Sequence, residues 1–204
     1  YANKIQHVGA TKIHLNLAKE KAVLGSIFLD SSFIQFTAPK ITRLTTTDTL
    51  AVTSNWKIAI NKLQLKNDAV VYDDNNVAPA AGFDYAHIGL NNIQVKTGNI
   101  YYAADSIIAN INQLAFKDKS GFTIDSTHAN IRYSNKGIEA TQLFIKTPQS
   151  LIQHTLVLKY GDIKKINTSP QNSEVNVQLK NTVVAVNDIY MLMPSVKKYM
   201  PEQK

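Results

Sequence analysis

The sequence predicts an all-β fold, and three observations carry that reading. Alternation of apolar and polar residues at period two runs through most of the chain, while a helical stripe is almost absent. Apolar residues make up 44% of the 204 residues, with only 8 Gly and 6 Pro, which excludes a disordered tail or a low-complexity fibre. A short strand phrase ending in lysine also recurs along the chain.

The first strands read as Ile13–Leu17, Ile27–Leu29 and Phe33–Phe36. Ile41 to Ser54 is rich in Thr and Ser, with Leu44, Leu50 and Val52 its only bulky apolar residues after Ile41. It reads as a loop, and divides the chain into a β-rich segment 1–44, a linker 45–55 and a repetitive segment 56–204.

After Trp56 the repeat becomes explicit. Ile58, Ile60, Leu63, Leu65 and Lys66 return thirty residues later as Ile88, Leu90, Ile93, Val95 and Lys96. The phrase returns in Ile111, Leu114, Phe116 and Lys117, and more loosely in Ala140, Leu143, Ile145 and Lys146. Ile58 and Ile60 lie two apart, on one strand face, but the step from Ile60 to Leu63 is three and would flip the face of a regular strand. A β-bulge at Asn61-Lys62 restores the phase and bends the strand. The equivalent polar pairs are Asn91-Asn92, Asn112-Gln113 and Thr141-Gln142. A tight turn at each pair is the alternative, but strands of about two or three residues are thin for a hairpin. Repeated bends of one hand curl a sheet into a trough, so the expected fold is an elongated, curved antiparallel β-sheet forming an open apolar groove.

Breakers punctuate the rest. Val77 to Gly82 reads as a loop, as does the polar run Asn167 to Ser173. Lys119-Ser120-Gly121, Ser134 to Gly137 and Tyr160-Gly161-Asp162 read as turns, which makes Gly121 to Leu158 a meander. One short helix is expected at the C-terminal end, over Tyr190–Met200 with Pro194 near its start. Met191, Met193 and Met200 there read as flexible core filler.

Net charge is +7. The lysines are scattered, the densest spots being Lys19-Glu20-Lys21, Lys164-Lys165 and Lys197-Lys198, and the only arginines are Arg43 and Arg132. Bidentate readout of bases or phosphates is therefore poorly supplied, and no nucleic-acid partner is expected. The charge reads as solvated strand edges that discourage edge pairing. The absence of cysteine excludes disulfides, thiolate metal sites and cysteine nucleophiles. No apolar run reaches the roughly 20 residues of a membrane-spanning helix, and no signal peptide opens the chain. Beginning at Tyr1 within strand pattern, the chain reads as an internal fragment, with any inner-membrane anchor outside it.

From Trp56 to Pro194 the chain resembles the AsmA-like/TamB family of cell-envelope proteins, in the long form of Bacteroidota. The resemblance is carried by Leu63 to Asn67 leading into Val71 to Asn76, by Phe83-Asp84-Tyr85, and by Ile108 to Ile111 with Leu114 to Phe122. Leu143 to Ser150 and Val177 to Asp188 complete it. It covers about two-thirds of the chain; residues 1–55 share only a general β character. The resemblance implies a β-taco-like groove in the periplasm, through which phospholipid acyl chains pass between inner and outer membranes. It also implies support of outer-membrane biogenesis, with an outer-membrane assembly protein as partner.

Chemistry-bearing residues do not gather into a catalytic pattern. His7, His14, His87, His128 and His154 lie far apart without metal-ligand spacing. Asp73-Asp74-Asn75-Asn76, with Asp84 nearby, lacks the spaced ligands and closing Glu of a calcium loop and reads as an Asx-rich turn. No serine sits in a nucleophile elbow, and no phosphate-binding glycine loop occurs. Four glutamates, Glu20, Glu139, Glu174 and Glu202, give no pair for glycoside chemistry. Trp56, Phe83, Tyr101, Tyr102, Phe116, Phe122 and Phe144 could stack on sugars or bases, but at strand spacing they read as packing. The expectation is a non-enzyme without metal or cofactor. Its apolar face, lined by Ile58, Ile60, Leu63, Leu65, Ile88, Leu90, Ile93, Val95, Ile111, Leu114, Phe116, Leu143 and Ile145, meets phospholipid acyl chains. Two rivals are a structural or adhesive β-sandwich repeat with a self-packed core, and a soluble lipoprotein carrier with a closed half-barrel.

Overall fold

The computed structural model describes residues 3–40, 55–160 and 173–198. It holds one curved, unclosed sheet of eleven strands and a short helix near the C-terminal end. The strands are β1 (His7–Thr11), β2 (His14–Asn16), β3 (Lys21–Asp30), β4 (Phe33–Ala38), β5 (Lys57–Asp74) and β6 (His87–Ala103). They continue with β7 (Ser106–Asp118), β8 (Thr123–Ser134), β9 (Gly137–Lys146), β10 (Leu151–Tyr160) and β11 (Ser173–Leu179). Sheet order is β1-β3-β5-β6-β7-β8-β9-β10-β11, with β2 paired to β3 and β4 to β5.

From β5 to β11 every pairing is antiparallel, as expected for a meander. The sheet is nevertheless mixed: β3 and β4 both run parallel to β5, on its first and second halves. A parallel pair needs a long crossover, and the connection from Pro39 to Trp56 is long enough to supply it. The predicted linker 45–55 falls in that connection and, apart from Asn55, lies outside the described residues. The N-terminal strands and the repetitive segment thus share one sheet.

The loop between β5 and β6 coincides with the predicted breaker at Val77 to Gly82. The turns at Lys119 to Gly121 and at Asn135-Lys136 also stand where expected, joining β7 to β8 and β8 to β9. Of the polar run Asn167 to Ser173 only Ser173 is described, and it opens β11; Gly161 and Asp162 lie outside the described residues.

The helix differs from expectation. α1 spans Val186–Leu192, and a 3-10 turn, Pro194–Lys198, follows it. Val186, Ile189, Tyr190 and Met193 make the i, i+3, i+4, i+7 stripe, so the apolar period begins before Tyr190. Proline disfavours helical backbone in the residue before it, and Met193 has left the helix with φ −136° and ψ 72°. Pro194 therefore follows the α-helix instead of starting it.

Candidate functional site

The predicted bends can be checked through strand register, because residues paired across strands point to the same face. One chain of partners runs Leu29–Leu65–Val95–Leu114–Thr127–Ile145–Ile152. A second runs Ala22–Ile58–Tyr102–Ile107–Tyr133–Ile138–Leu158–Val175. Within β8, Thr127 and Tyr133 are an even number apart, and at the slips alongside this stretch the extra residues lie on β7 and β9, so both rows occupy one face. Ile58 and Leu65 are an odd number apart, yet both belong to that face. β5 must therefore carry one extra residue between Ile60 and Leu63. Asn61 is the residue left out of the ladder to both β3 and β6. No shift of register appears there because β6 bends at the same level, through Gly98 and Asn99, and Asn99 has φ 51°.

The other three polar pairs behave the same way. Register slips between Asn91 and Gln94, where Asn92 has φ 53°. It slips between Ile111 and Leu114, across Asn112-Gln113. On β9, Phe144 and Thr141 face residues only two apart on β8, as do Leu143 and Ala140 on β10, and Gln142 within both intervals has φ 49°. Left-handed backbone costs about 1–2 kcal/mol for an ordinary L-residue, with Asn the cheapest after Gly. Asn67 (φ 56°) marks one more bend, and a slip between Thr127 and Ile124 marks another, neither expected from the repeat.

With these bulges in place, Ile58, Ile60, Leu63, Leu65, Ile88, Leu90, Ile93, Val95, Ile111, Leu114, Phe116, Leu143 and Ile145 all fall on one face. The lysines that end each repeat, Lys66, Lys96, Lys117 and Lys146, fall on the other, with Gln64, Gln94, Arg132 and Glu139. Lys66 Nζ lies 3.6 Å from Asp30 Oδ2 on that polar side. The sheet is therefore amphipathic across its thickness.

The apolar face is only partly covered. Ile93 is buried, but the other predicted face residues are half-exposed, and Tyr102 (46%) and Ile107 (38%) stay open to solvent. α1 covers one end of the face, leaving beneath it a cavity of about 310 Å³ walled by Phe122, Ile124, Ile145, Ile152, Val184, Ile189, Leu192 and Met193. A cluster of aromatic rings adjoins it, with Phe83 edge-on to Phe122 at 5.7 Å and Phe116 at 6.5 Å from Phe122.

Comparison with family models, curated proteins and solved structures finds no match to this chain.

Buried polar groups anchor the sheet's irregular points. Asp68 accepts backbone N–H bonds from Ser32 (2.7 Å) and Lys66 (2.9 Å), bridging the break between β3 and β4. Asp118 accepts from Gly89 (3.1 Å) and Ser120 (2.8 Å) where β7 turns. Asp188, on α1, accepts from the Thr147 hydroxyl at 2.6 Å and from the Ser150 hydroxyl. Ser150 Oγ in turn accepts the Ala185 N–H at 2.9 Å. The ring nitrogens of His87 lie 2.9 Å from the Val77 carbonyl oxygen and 3.3 Å from Asp73 Oδ1, tying down the β5–β6 loop. In that loop Asp74 accepts from Asn76 N–H, an Asx turn as the sequence suggested. His128 stacks on Phe144 at 4.9 Å on the polar face. Among the described residues no three His, Asp or Glu stand where they could share a metal ion.

Sequence reasoning missed Phe122, Ile124, Ile152 and Ile189 as members of the covered end. The stripe from Val186 to Met193 was the signal that could have found α1. Nothing in Asp68 or Asp118 distinguishes them, as sequence, from solvated aspartates.

Proposed function

We propose that this chain is a non-enzymatic segment of a periplasm-spanning envelope protein of the AsmA-like/TamB kind. Its apolar β-face conducts phospholipid acyl chains between inner and outer membranes and supports outer-membrane biogenesis. One observation carries the reading: a repeat whose every bend keeps aliphatic side chains on one face of an unclosed sheet, with no second sheet over that face among the described residues. A sheet with one apolar face must cover it with another layer or a ligand. Acyl chains suit it, because burial gains about 0.8 kcal/mol per methylene and demands no directional contacts. The row from Leu29 to Ile152 crosses the sheet for about 29 Å at roughly 4.8 Å per strand step, an uninterrupted apolar path but for Thr127. The self-packed β-sandwich needs a second sheet, and the described strands belong to a single one.

The test is native mass spectrometry and lipid extraction of the protein expressed in a cell-envelope host. Phospholipid should co-purify, and Leu114→Asp, at the middle of the row, should strip it while leaving the β circular dichroism unchanged. A well-ordered protein free of lipid would overturn the reading.

A further inference from the structure

We infer that the cavity beneath α1 receives the methyl end of an alkyl chain lying along the row from Leu65 to Ile152, so that the helix is an end stop for the apolar face. The inference rests on the acyl-chain reading above and adds where the chain ends. Ile145 and Ile152 close the row and also wall the cavity, so the two are continuous. At about 310 Å³ the cavity is at the lower end of the range of small-molecule sites. Its remaining walls, among them Phe122, Ile124, Ile189 and Leu192, are hydrocarbon.

The polar groups at its margin are engaged with one another. Thr147 and Ser150 give their hydroxyl hydrogens to Asp188, and Thr147 Oγ1 accepts the Ser150 N–H at 2.7 Å. No hydroxyl is left to grip a head group, and the Asp188 carboxylate repels a phosphate or carboxylate. The end that fits is therefore the hydrocarbon terminus, with the head group left out on the open sheet.

The helix is held as a stop, since it is fixed at both ends. Asp188 ties its first turn to the β9–β10 turn, while the Phe83 N–H donates to the Met191 carbonyl at 2.8 Å and the Tyr85 hydroxyl to that of Leu192 at 3.3 Å. Gly82 makes this close approach possible: a Cβ there would sit 2.6 Å from the Met191 carbonyl oxygen.

The experiment titrates the whole chain, delipidated, with n-alkyl maltosides of increasing length below their micelle concentrations, using calorimetry. Affinity should rise about fourfold per added methylene, the factor that corresponds to burying one CH₂. Ile124→Trp, which fills the cavity, should lower affinity at least tenfold while phospholipid still co-purifies. Unchanged maltoside affinity in that variant would overturn the end stop and leave the acyl-chain reading standing. A wild-type chain that binds neither maltoside nor phospholipid would overturn both. A second measurement needs no variant: a fatty acid with a terminal diazirine should photolabel peptides containing Ile189 or Leu192. Labelling confined to β5–β7 would sink the inference.

Discussion

The Thr147 hydroxyl donates to Oδ2 of Asp188 at 2.6 Å, joining residues separated by 41 positions. With Ser150 as second donor, this carboxylate docks α1 on the β9–β10 turn. Hydrogen bonds to a charged partner contribute about 1.5–3 kcal/mol each, and removing the acceptor strands two buried hydroxyls. Asp188→Ala should therefore cost about 2–4 kcal/mol, read in a urea melt. Hydrogen exchange should rise first in Val186–Leu192, whereas Asp188→Asn, which keeps one acceptor oxygen, should fall between.

Asn92 tests the bend. Its φ of 53° suits Asn and Gly and penalises a β-branched side chain. Asn92→Gly should leave stability within about 0.5 kcal/mol, while Asn92→Val should lose about 1–2 kcal/mol. Deleting Asn92 is the sharper experiment. It would send Ile88 and Leu90 to the lysine-bearing face, and loss of the cooperative unfolding transition is the expected outcome.

Thr97 lies in the apolar row between Leu63 and Ile111, 9% exposed, and its Oγ1 is buried without a hydrogen-bond partner. A buried hydroxyl with no partner is a net cost, and valine has nearly the same shape. Thr97→Val should be neutral or stabilising by about 1 kcal/mol in a thermal or urea melt. A loss of stability would show that the hydroxyl has a partner in solution.

Acid should loosen the β5–β6 loop. The Asn76 N–H and side-chain amide hold the Asp74 carboxyl below its ordinary value of 3.8, and the Ala80 N–H, then that of Ala86, does so for Asp84. A carboxyl depressed on folding contributes stability that is present above its unfolded value and lost as pH falls through the folded one. Backbone amide exchange over residues 75–86, corrected for intrinsic rates, should therefore accelerate below about pH 4. Asp84→Asn should flatten that dependence, and an unchanged profile would count against these hydrogen bonds.

How much of this was legible beforehand divides along a physical line. The repeat alone located the apolar face, because side-chain alternation and its interruption by a polar pair are local properties of one strand. A three-residue step between apolar positions is readable wherever it occurs. The bends at Asn67 and at Asp125-Ser126 escaped because they fall outside the repeated phrase. Strand partners are another matter. That β3 and β4 lie parallel to β5 depends on how a long connection closes, and no alternation pattern encodes direction. The place of α1 was half legible, since its stripe begins at Val186, but its docking was not. Asp188, Thr147 and Ser150 each read as an ordinary polar residue until the sheet brings them together. By itself, then, the sequence determined an amphipathic, repeatedly bent β-chain. The tertiary structure alone decided which strands adjoin and where a helix closes the apolar face, because those depend on contacts between residues far apart in the chain.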